Sequence, residues 1–268
     1  MTMVPALQSF VYQQPSSLVM IYIPVITLLS LAYLGLSEII GKHLQYSKFW
    51  NVNSQKSSAK QIKLSSTTGM LILYTPAFLA GVASFCIYPD GGTRFLLVES
   101  ALTIHFFKRV FEVLFVHKYS GGMILDSVML ISFFYFIATV GMIYFQHLTQ
   151  GFPEPSIDLK YLGLVLFLVG ICGNFYHHYL LSKLREKNEK GYKIPKGGLF
   201  NLVLCPHYFF EILTFLGISF ISQTMFSYSC AVGSAFYLMG RSYVTRKWYI
   251  SKFENFPKEV KALIPYVF

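Results

Sequence analysis

Residues 192–211 read Tyr-Lys-Ile-Pro-Lys-Gly-Gly-Leu-Phe-Asn-Leu-Val-Leu-Cys-Pro-His-Tyr-Phe-Phe-Glu. The stretch leaves a basic loop, passes Pro195 and the pair Gly197-Gly198, and enters an apolar run that carries His207, Tyr208 and Glu211. An apolar run of membrane-crossing character tolerates ionisable groups only where they face protein, water or a ligand. The stretch therefore predicts a helix inside a bilayer with a site at its start. Pro206 suits the first helical position, where a missing N–H costs nothing. His207 and Glu211 then follow at i and i+4, on one face.

The rest of the chain agrees with a membrane setting. Of 268 residues 54% are hydrophobic and only 13% charged, about half the charged fraction of an average soluble protein. Mean hydropathy is +0.51. Apolar runs at 18–40, 68–88, 95–116, 125–145, 161–181 and 200–221 each come near the ~20 residues that a crossing helix needs, and a shorter one follows at 226–239. The expected fold is all-α, a single polytopic membrane domain over 1–268 with about seven transmembrane helices. Pro76 predicts a kink in the second run.

The net charge of +10 comes from lysines and arginines in loops between apolar runs, which argues against nucleic acid and for membrane topology and anionic lipid. The Lys-rich loop after the first run, the loop at Lys118, the loop holding Lys183 to Lys196 and the C-terminal tail all fall on one side. Arg94 stands nearly alone on the other. The positive-inside rule then places the N-terminus in the lumen and the C-terminus in the cytosol. Absence of Lys or Arg before Lys42, with a first run longer than a signal-peptide core, predicts no cleaved leader. Trp248, Tyr249 and Phe253, interleaved with Arg246, Lys247 and Lys252, predict a helix along the membrane interface. Cys86, Cys172, Cys205 and Cys230 show no paired spacing and read as packing residues.

Asn174, His178 and Arg185 lie on one helical stripe, and Arg241, Thr245 and Tyr249 on another. With His207 and Glu211 they are expected to line a cavity facing the cytosol, its basic mouth suited to a phosphate-bearing ligand. Lys108, Arg109 and Glu112 read more readily as an internal ion-pair cluster than as catalytic groups. No carboxylate or Cys stands at a familiar zinc spacing from His105, His117, His177 or His178, so no metal is expected. Neither a Rossmann fingerprint nor a P-loop occurs.

Three segments carry a family resemblance: 192–200, Pro206-His-Tyr-Phe-Phe-Glu211, and Trp248 through Pro257 to Ile264-Pro-Tyr-Val-Phe268. In this order they resemble the C-terminal region of the steroid 5α-reductases, also called 3-oxo-5-alpha-steroid 4-dehydrogenases, over 150–268. The resemblance implies a seven-helix fold of the endoplasmic reticulum membrane that transfers a hydride from NADPH to a conjugated carbon–carbon double bond. It implies NADPH contacts at Asn174, His178, Arg185, Tyr192, His207, Glu211, Arg241 and Tyr249. Where the family has Asn, Asp and His, this chain has His207, His178 and Thr245. The family's substrate-polarising Glu is replaced by Tyr74, and its Tyr partner by Phe106. Tyr74 is then the expected donor to the substrate carbonyl, with Tyr208 in reserve and Phe78 and Phe106 at the substrate.

Residues 105–120 are also similar to the trans-2-enoyl-CoA reductases of fatty-acid elongation, although the chain leaves no room for their usual N-terminal ubiquitin-like domain. The balance resembles the plant-type branch of the steroid reductase family. The leading expectation is reduction of the 4,5 double bond of a 3-oxo-Δ4 steroid. The alternatives are a trans-2-enoyl-CoA reductase and, in another class, a non-catalytic membrane protein that binds sterol or NADPH.

Overall fold

The computed structural model describes residues 8–13, 17–49, 61–119, 121–184 and 191–268. Among them are seven long helices: α1 (Leu18–Ile39), α2 (Ser66–Ile87), α3 (Gly92–Phe111), α4 (Leu125–His147), α5 (Lys160–Lys183), α6 (Pro206–Ser222) and α7 (Met225–Lys252). Each expected run holds a helix, with boundaries that move for local reasons. The sixth helix begins at Pro206, because the backbone first makes a short 3₁₀ turn over Gly198–Asn201, with Gly197 and Gly198 at φ +87° and +51°. The third ends in a single π turn, Glu112–Val116, an irregularity that tends to mark functional sites.

The seventh differs most. The expected interfacial helix is the last part of α7, which continues unbroken to Lys252, so Arg241, Thr245 and Tyr249 stay on the axis of a bundle helix. Beyond it the chain folds back. Val203 and Lys261 pair in a parallel bridge, Leu204 N–H donates to Lys261 C=O (2.8 Å) and Lys261 N–H to Leu202 C=O (2.9 Å). The C-terminal residues thereby brace the loop that leads into α6.

Among the described residues four helices, α1, α2, α4 and α5, are long and apolar enough to cross a membrane. Large apolar side chains stand exposed along them, among them Leu18, Leu29, Phe133 and Tyr161. Such extensive exposure fits hydrocarbon and not water. The chain is a multi-pass membrane protein.

Helices α5 and α6 pack as one pair, α1 and α7 as another, and α2 packs against α3 and α4. Small residues let the pairs close. A Cβ at Gly217 of α6 would lie 2.4 Å from the Phe167 backbone nitrogen of α5, and one at Gly240 of α7 would lie 2.2 Å from the Gly35 carbonyl of α1. Backbone approach of this kind gives transmembrane helices their packing contact where lipid removes the hydrophobic drive. A two-stranded antiparallel sheet, β1 (Lys63–Ser65) with β2 (Gly122–Ile124), staples the connection before α2 to the one before α4.

The end away from the α6 start is fastened by Arg94. Its guanidinium donates to Glu154 (2.9 Å), Asp158 (2.7 Å), Gln223 Oε1 (2.9 Å) and Ile221 C=O (2.7 Å). Those hydrogen bonds hold the Glu154 carboxyl below the usual carboxylate range. All four cysteines are free.

Because relief at Gly217 would require backbone to move, Gly217→Val should destabilise the protein by at least the ~1–3 kcal/mol of an overpacked core. Thermal unfolding in detergent should show a lowered midpoint, whereas an unchanged midpoint would refute the close α5–α6 approach.

Candidate active site

The loop between α1 and the first strand and the ends of α3, α5, α6 and α7 converge on a polar cavity of about 210 Å³. It is lined by Tyr74, Arg109, Asn174, His178, His207, Tyr208, Glu211, Thr245 and Tyr249, together with Tyr46, Lys48, His117, Tyr119, Tyr135 and Tyr237. A further hollow at its mouth carries Lys48, Lys118, Lys193 and Tyr192. On the other side lies an apolar chamber of about 380 Å³ between α1, α4 and α7, with Phe106 and Phe215 in its wall. Tyr135, Glu211, Tyr237 and Leu238 border both spaces. There the polar and apolar zones meet.

Three ion-pair systems build the walls. In the first, Asn174 donates to Glu211 (2.8 Å) and to the His207 carbonyl (2.8 Å), while Lys108 donates to the Asn174 side-chain oxygen. His105 Nε2 stands 3.4 Å from Glu211. The i, i+4 spacing read from the sequence thus gives two anchoring points on α6, both held by one asparagine of α5.

In the second, Glu112 lies 3.0 Å from His178, 3.3 Å from Lys108 and in contact with Arg109. Arg109 also donates to the Tyr74 hydroxyl oxygen and covers that ring, 4.6 Å from its centroid. Glu112, His117 and His178 bring ligand atoms within 4.8 Å of one another, as a metal site would. Lys108 and Arg109 already supply the positive charge that this carboxylate needs, so we assign the group to ion pairing. Burial, His178 and Arg109 push His117 well below the ordinary imidazole range, which keeps it neutral. Burial raises the Tyr119 phenol.

The third joins the two ends of the chain. Arg241, 1% exposed, donates to the Glu38 carboxylate (2.9 Å to each oxygen) and to the Leu44 and Tyr46 carbonyls. Its guanidinium also lies 4.1 Å from the Tyr46 ring centroid. Tyr46 in turn shares a 2.9 Å hydrogen bond with Tyr237.

The cavity therefore gathers most of the residues expected from the sequence. Arg185 lies outside the described residues, and four others stand outside that cavity. Arg241 sits behind the cavity wall, where Glu38 occupies it. Tyr192 borders only the mouth, against Trp248 (ring centroids 5.0 Å apart). Phe78 lines neither space and packs on Phe107, 5.8 Å between centroids; it shares a face with Tyr74 but lies one turn further along α2, beside Phe107 of α3. Phe106 lines the apolar chamber.

Sequence reasoning overlooked Tyr46, Lys48, Tyr135 and Tyr237, because tyrosines are common in such a chain and nothing local distinguishes them. The Glu38–Arg241 pair had a signal: an acid ending one apolar run and an arginine just beyond the end of another each require a partner in a bilayer.

The fold is thus a helical membrane bundle that sets an apolar chamber beside a cavity lined by charged and aromatic side chains. Comparison with known proteins makes the class specific. Residues 123–268 match the family described as 3-oxo-5-alpha-steroid 4-dehydrogenase, and the chain belongs to that family. It is 33% identical over 238 residues to a very-long-chain enoyl-CoA reductase of Dictyostelium discoideum, covering 86% of this chain and 78% of that one. It is 41% identical over 112 residues to steroid 5-alpha-reductase DET2 of Gossypium hirsutum, covering 40% and 42%. To 3-oxo-5-alpha-steroid 4-dehydrogenase 1 of Homo sapiens it is 36% identical over 126 residues, 47% and 49% of the two chains. The chain thus aligns with less than half the length of these two steroid reductases. Family membership makes it an oxidoreductase acting on CH–CH bonds, which reduces a carbon–carbon double bond.

Removing one partner of a buried ion pair strands the other charge. Arg241→Met should therefore cost about 3–5 kcal/mol. Glu38→Leu combined with Arg241→Met should be more stable than either single variant, as judged by denaturation in detergent. Additive losses would contradict a direct buried pair.

Proposed function

We propose that this protein reduces a double bond conjugated to a carbonyl in a lipid, using NADPH, with a 3-oxo-Δ4 steroid as the leading substrate. The observation that carries the reading is the shared wall at Tyr135, Glu211 and Tyr237, which borders both a chamber suited to an apolar body and a cavity suited to a phosphate-bearing cofactor. The polar side fits a dinucleotide on its donor set. Lys48, Lys118 and Lys193 stand at the mouth, where phosphate charge is attracted. Deeper in, His207 Nδ1 and Arg109 Nε are buried without hydrogen-bond partners among the described residues, as expected of groups that a ligand completes. Asn174, Glu211, His207 and Tyr249 would hold the reducing end, and the group supplies a hydride when bound.

The chain's own residues orient the substrate and hold the charge that develops on its carbonyl oxygen. Tyr74 is our assignment for a donor. Arg109 donates to its phenol oxygen, which leaves the O–H to point elsewhere and favours its release of a hydrogen bond to an oxyanion. Aromatic walls of the chamber exclude water from the reacting bond. By the distribution of lysines, all seven helices cross the membrane, with the N-terminus lumenal and the C-terminus cytosolic, and the endoplasmic reticulum is the proposed location. Residues 150–268 supply most of the cofactor side.

A second substrate, a long-chain trans-2-enoyl thioester, is favoured by one observation: similarity to the Dictyostelium enoyl-CoA reductase extends over 86% of the chain, against 40% and 47% for the two steroid reductases above. Lysines at the mouth would then also serve the phosphates of coenzyme A.

Purified protein in liposomes, given NADPH and each substrate in turn, should consume reductant and yield the saturated product with one of them. Binding of NADPH without turnover of either would refute the reductase reading in favour of a binding role. Tyr74→Phe should lower kcat by roughly 10²-fold, within the range for loss of one oxyanion donor, and leave NADPH affinity within a factor of about two. An unchanged kcat would remove Tyr74 from the chemistry.

A further inference from the structure

We infer that Tyr135 of α4 is a second catalytic donor, and that it and Tyr74 together form the oxyanion site for the substrate carbonyl. The inference rests on the proposed reductase reading and identifies who holds the developing charge.

Four observations lead to it. First, Tyr74 lines the polar cavity but not the apolar chamber, so a carbonyl carried on an apolar body reaches Tyr74 only by passing through the junction. Tyr135 is at that junction, bordering both spaces. Second, the two rings are neighbours, with centroids 5.7 Å apart. Two phenols so placed can converge on one oxygen. Third, Tyr74 is nearly wholly buried at 5% exposed and already engaged by Arg109. The Tyr135 hydroxyl makes no hydrogen bond among the described residues, and Tyr135 is only partly buried, so its O–H remains free for a ligand. Fourth, Tyr135 packs edge-on against Phe106, 5.4 Å between centroids. Phe106 brings no hydroxyl to the chamber from α3, whereas Tyr135, packed against it, does. Tyr237 borders the junction too, but its hydroxyl is occupied by Tyr46.

The electron balance gives the two phenols one role. A hydride brings two electrons to the β-carbon from a dihydronicotinamide reductant, which leaves oxidised. The carbon–carbon π pair shifts to the bond between the α-carbon and the carbonyl carbon, and the carbonyl π pair moves onto oxygen. That oxygen bears the charge while Tyr74 and Tyr135 donate hydrogen bonds to it. As the carbonyl reforms, the α-carbon takes one proton, derived from water that reaches the polar cavity, and the saturated ketone or thioester results. Both phenols stay protonated throughout. The charge is thus met by neutral donors, whose strength grows as charge develops and which therefore stabilise the transition state over the ground state.

The test compares wild type, Tyr135→Phe and, as a control, Tyr144→Phe, a tyrosine of the same helix that is 45% exposed and lies outside the site. Tyr135→Phe keeps the ring and removes only the hydroxyl. With whichever substrate the wild type turns over, kcat should fall roughly 10²-fold while KM for NADPH stays within a factor of about two, and Tyr144→Phe should match wild type. An independent readout is the infrared carbonyl stretch of the same substrate, carbon-13 labelled at the carbonyl and bound without reductant. It should lie at higher frequency in Tyr135→Phe than in wild type, because one hydrogen bond to the oxygen is gone. Unchanged kcat together with an unchanged stretch in Tyr135→Phe overturns the inference and leaves the reductase reading standing. Absence of turnover by wild type with both substrates overturns the reading itself and the inference with it.

Discussion

Glu38 and Arg241 are 203 positions apart in sequence and bound together in the interior, and the geometry of the site depends on that pair. A charge carried into an apolar bundle demands a partner, so α1 and α7 have little freedom in register once their backbones meet at Gly35 and Gly240. Both helices wall the apolar chamber. The same guanidinium fixes the Leu44 and Tyr46 carbonyls, which sets the course of the chain after α1, and Tyr46 fixes the Tyr237 hydroxyl at the junction. One ion pair therefore places a chamber wall, a cavity loop and a junction residue.

The second organising element is Asn174. It takes a hydrogen bond from Lys108 and gives two to α6, so α3, α5 and α6 meet at one amide. With these groups satisfied internally, the cavity can be polar without drawing apart the helices that surround it. Charge is concentrated where a cofactor would be recognised, and neutral hydroxyls stand where the carbonyl would come to rest. This division of labour suits a reaction whose charge appears only transiently.

Much of this was legible in the residues. Helix positions followed from apolar runs, because backbone groups in lipid must be satisfied within the segment and the signal is long and continuous. His207 and Glu211 announced a site because they were out of place in such a run. Less legible was what depends on pairing across the fold. Arg241 fell on the stripe with Thr245 and Tyr249 and was expected at the cofactor, yet a carboxylate from the far end of the chain holds it behind the wall. Phe78 was expected at the substrate on the strength of its neighbourhood to Tyr74, but one turn further along α2 it meets Phe107 and lines neither space. Tyr135 gave no local cue at all: its importance comes from bordering two spaces, and spaces belong to the assembled bundle. The end of α7 shows a related limit, since aromatic and basic interleaving suits a helix lying on a membrane as well as one emerging from it.

The central claim is that a hydride crosses the junction from the polar cavity to a carbonyl-conjugated double bond held in the apolar chamber. It is tested most directly with NADPH deuterated at the hydride-bearing nicotinamide carbon, by locating the label in the product of the substrate that the wild-type protein turns over. Deuterium at the β-carbon of the saturated product, with solvent hydrogen at the α-carbon, is the expected result. Product lacking the label at the β-carbon, or deuterium found at the carbonyl carbon of an alcohol, would contradict it.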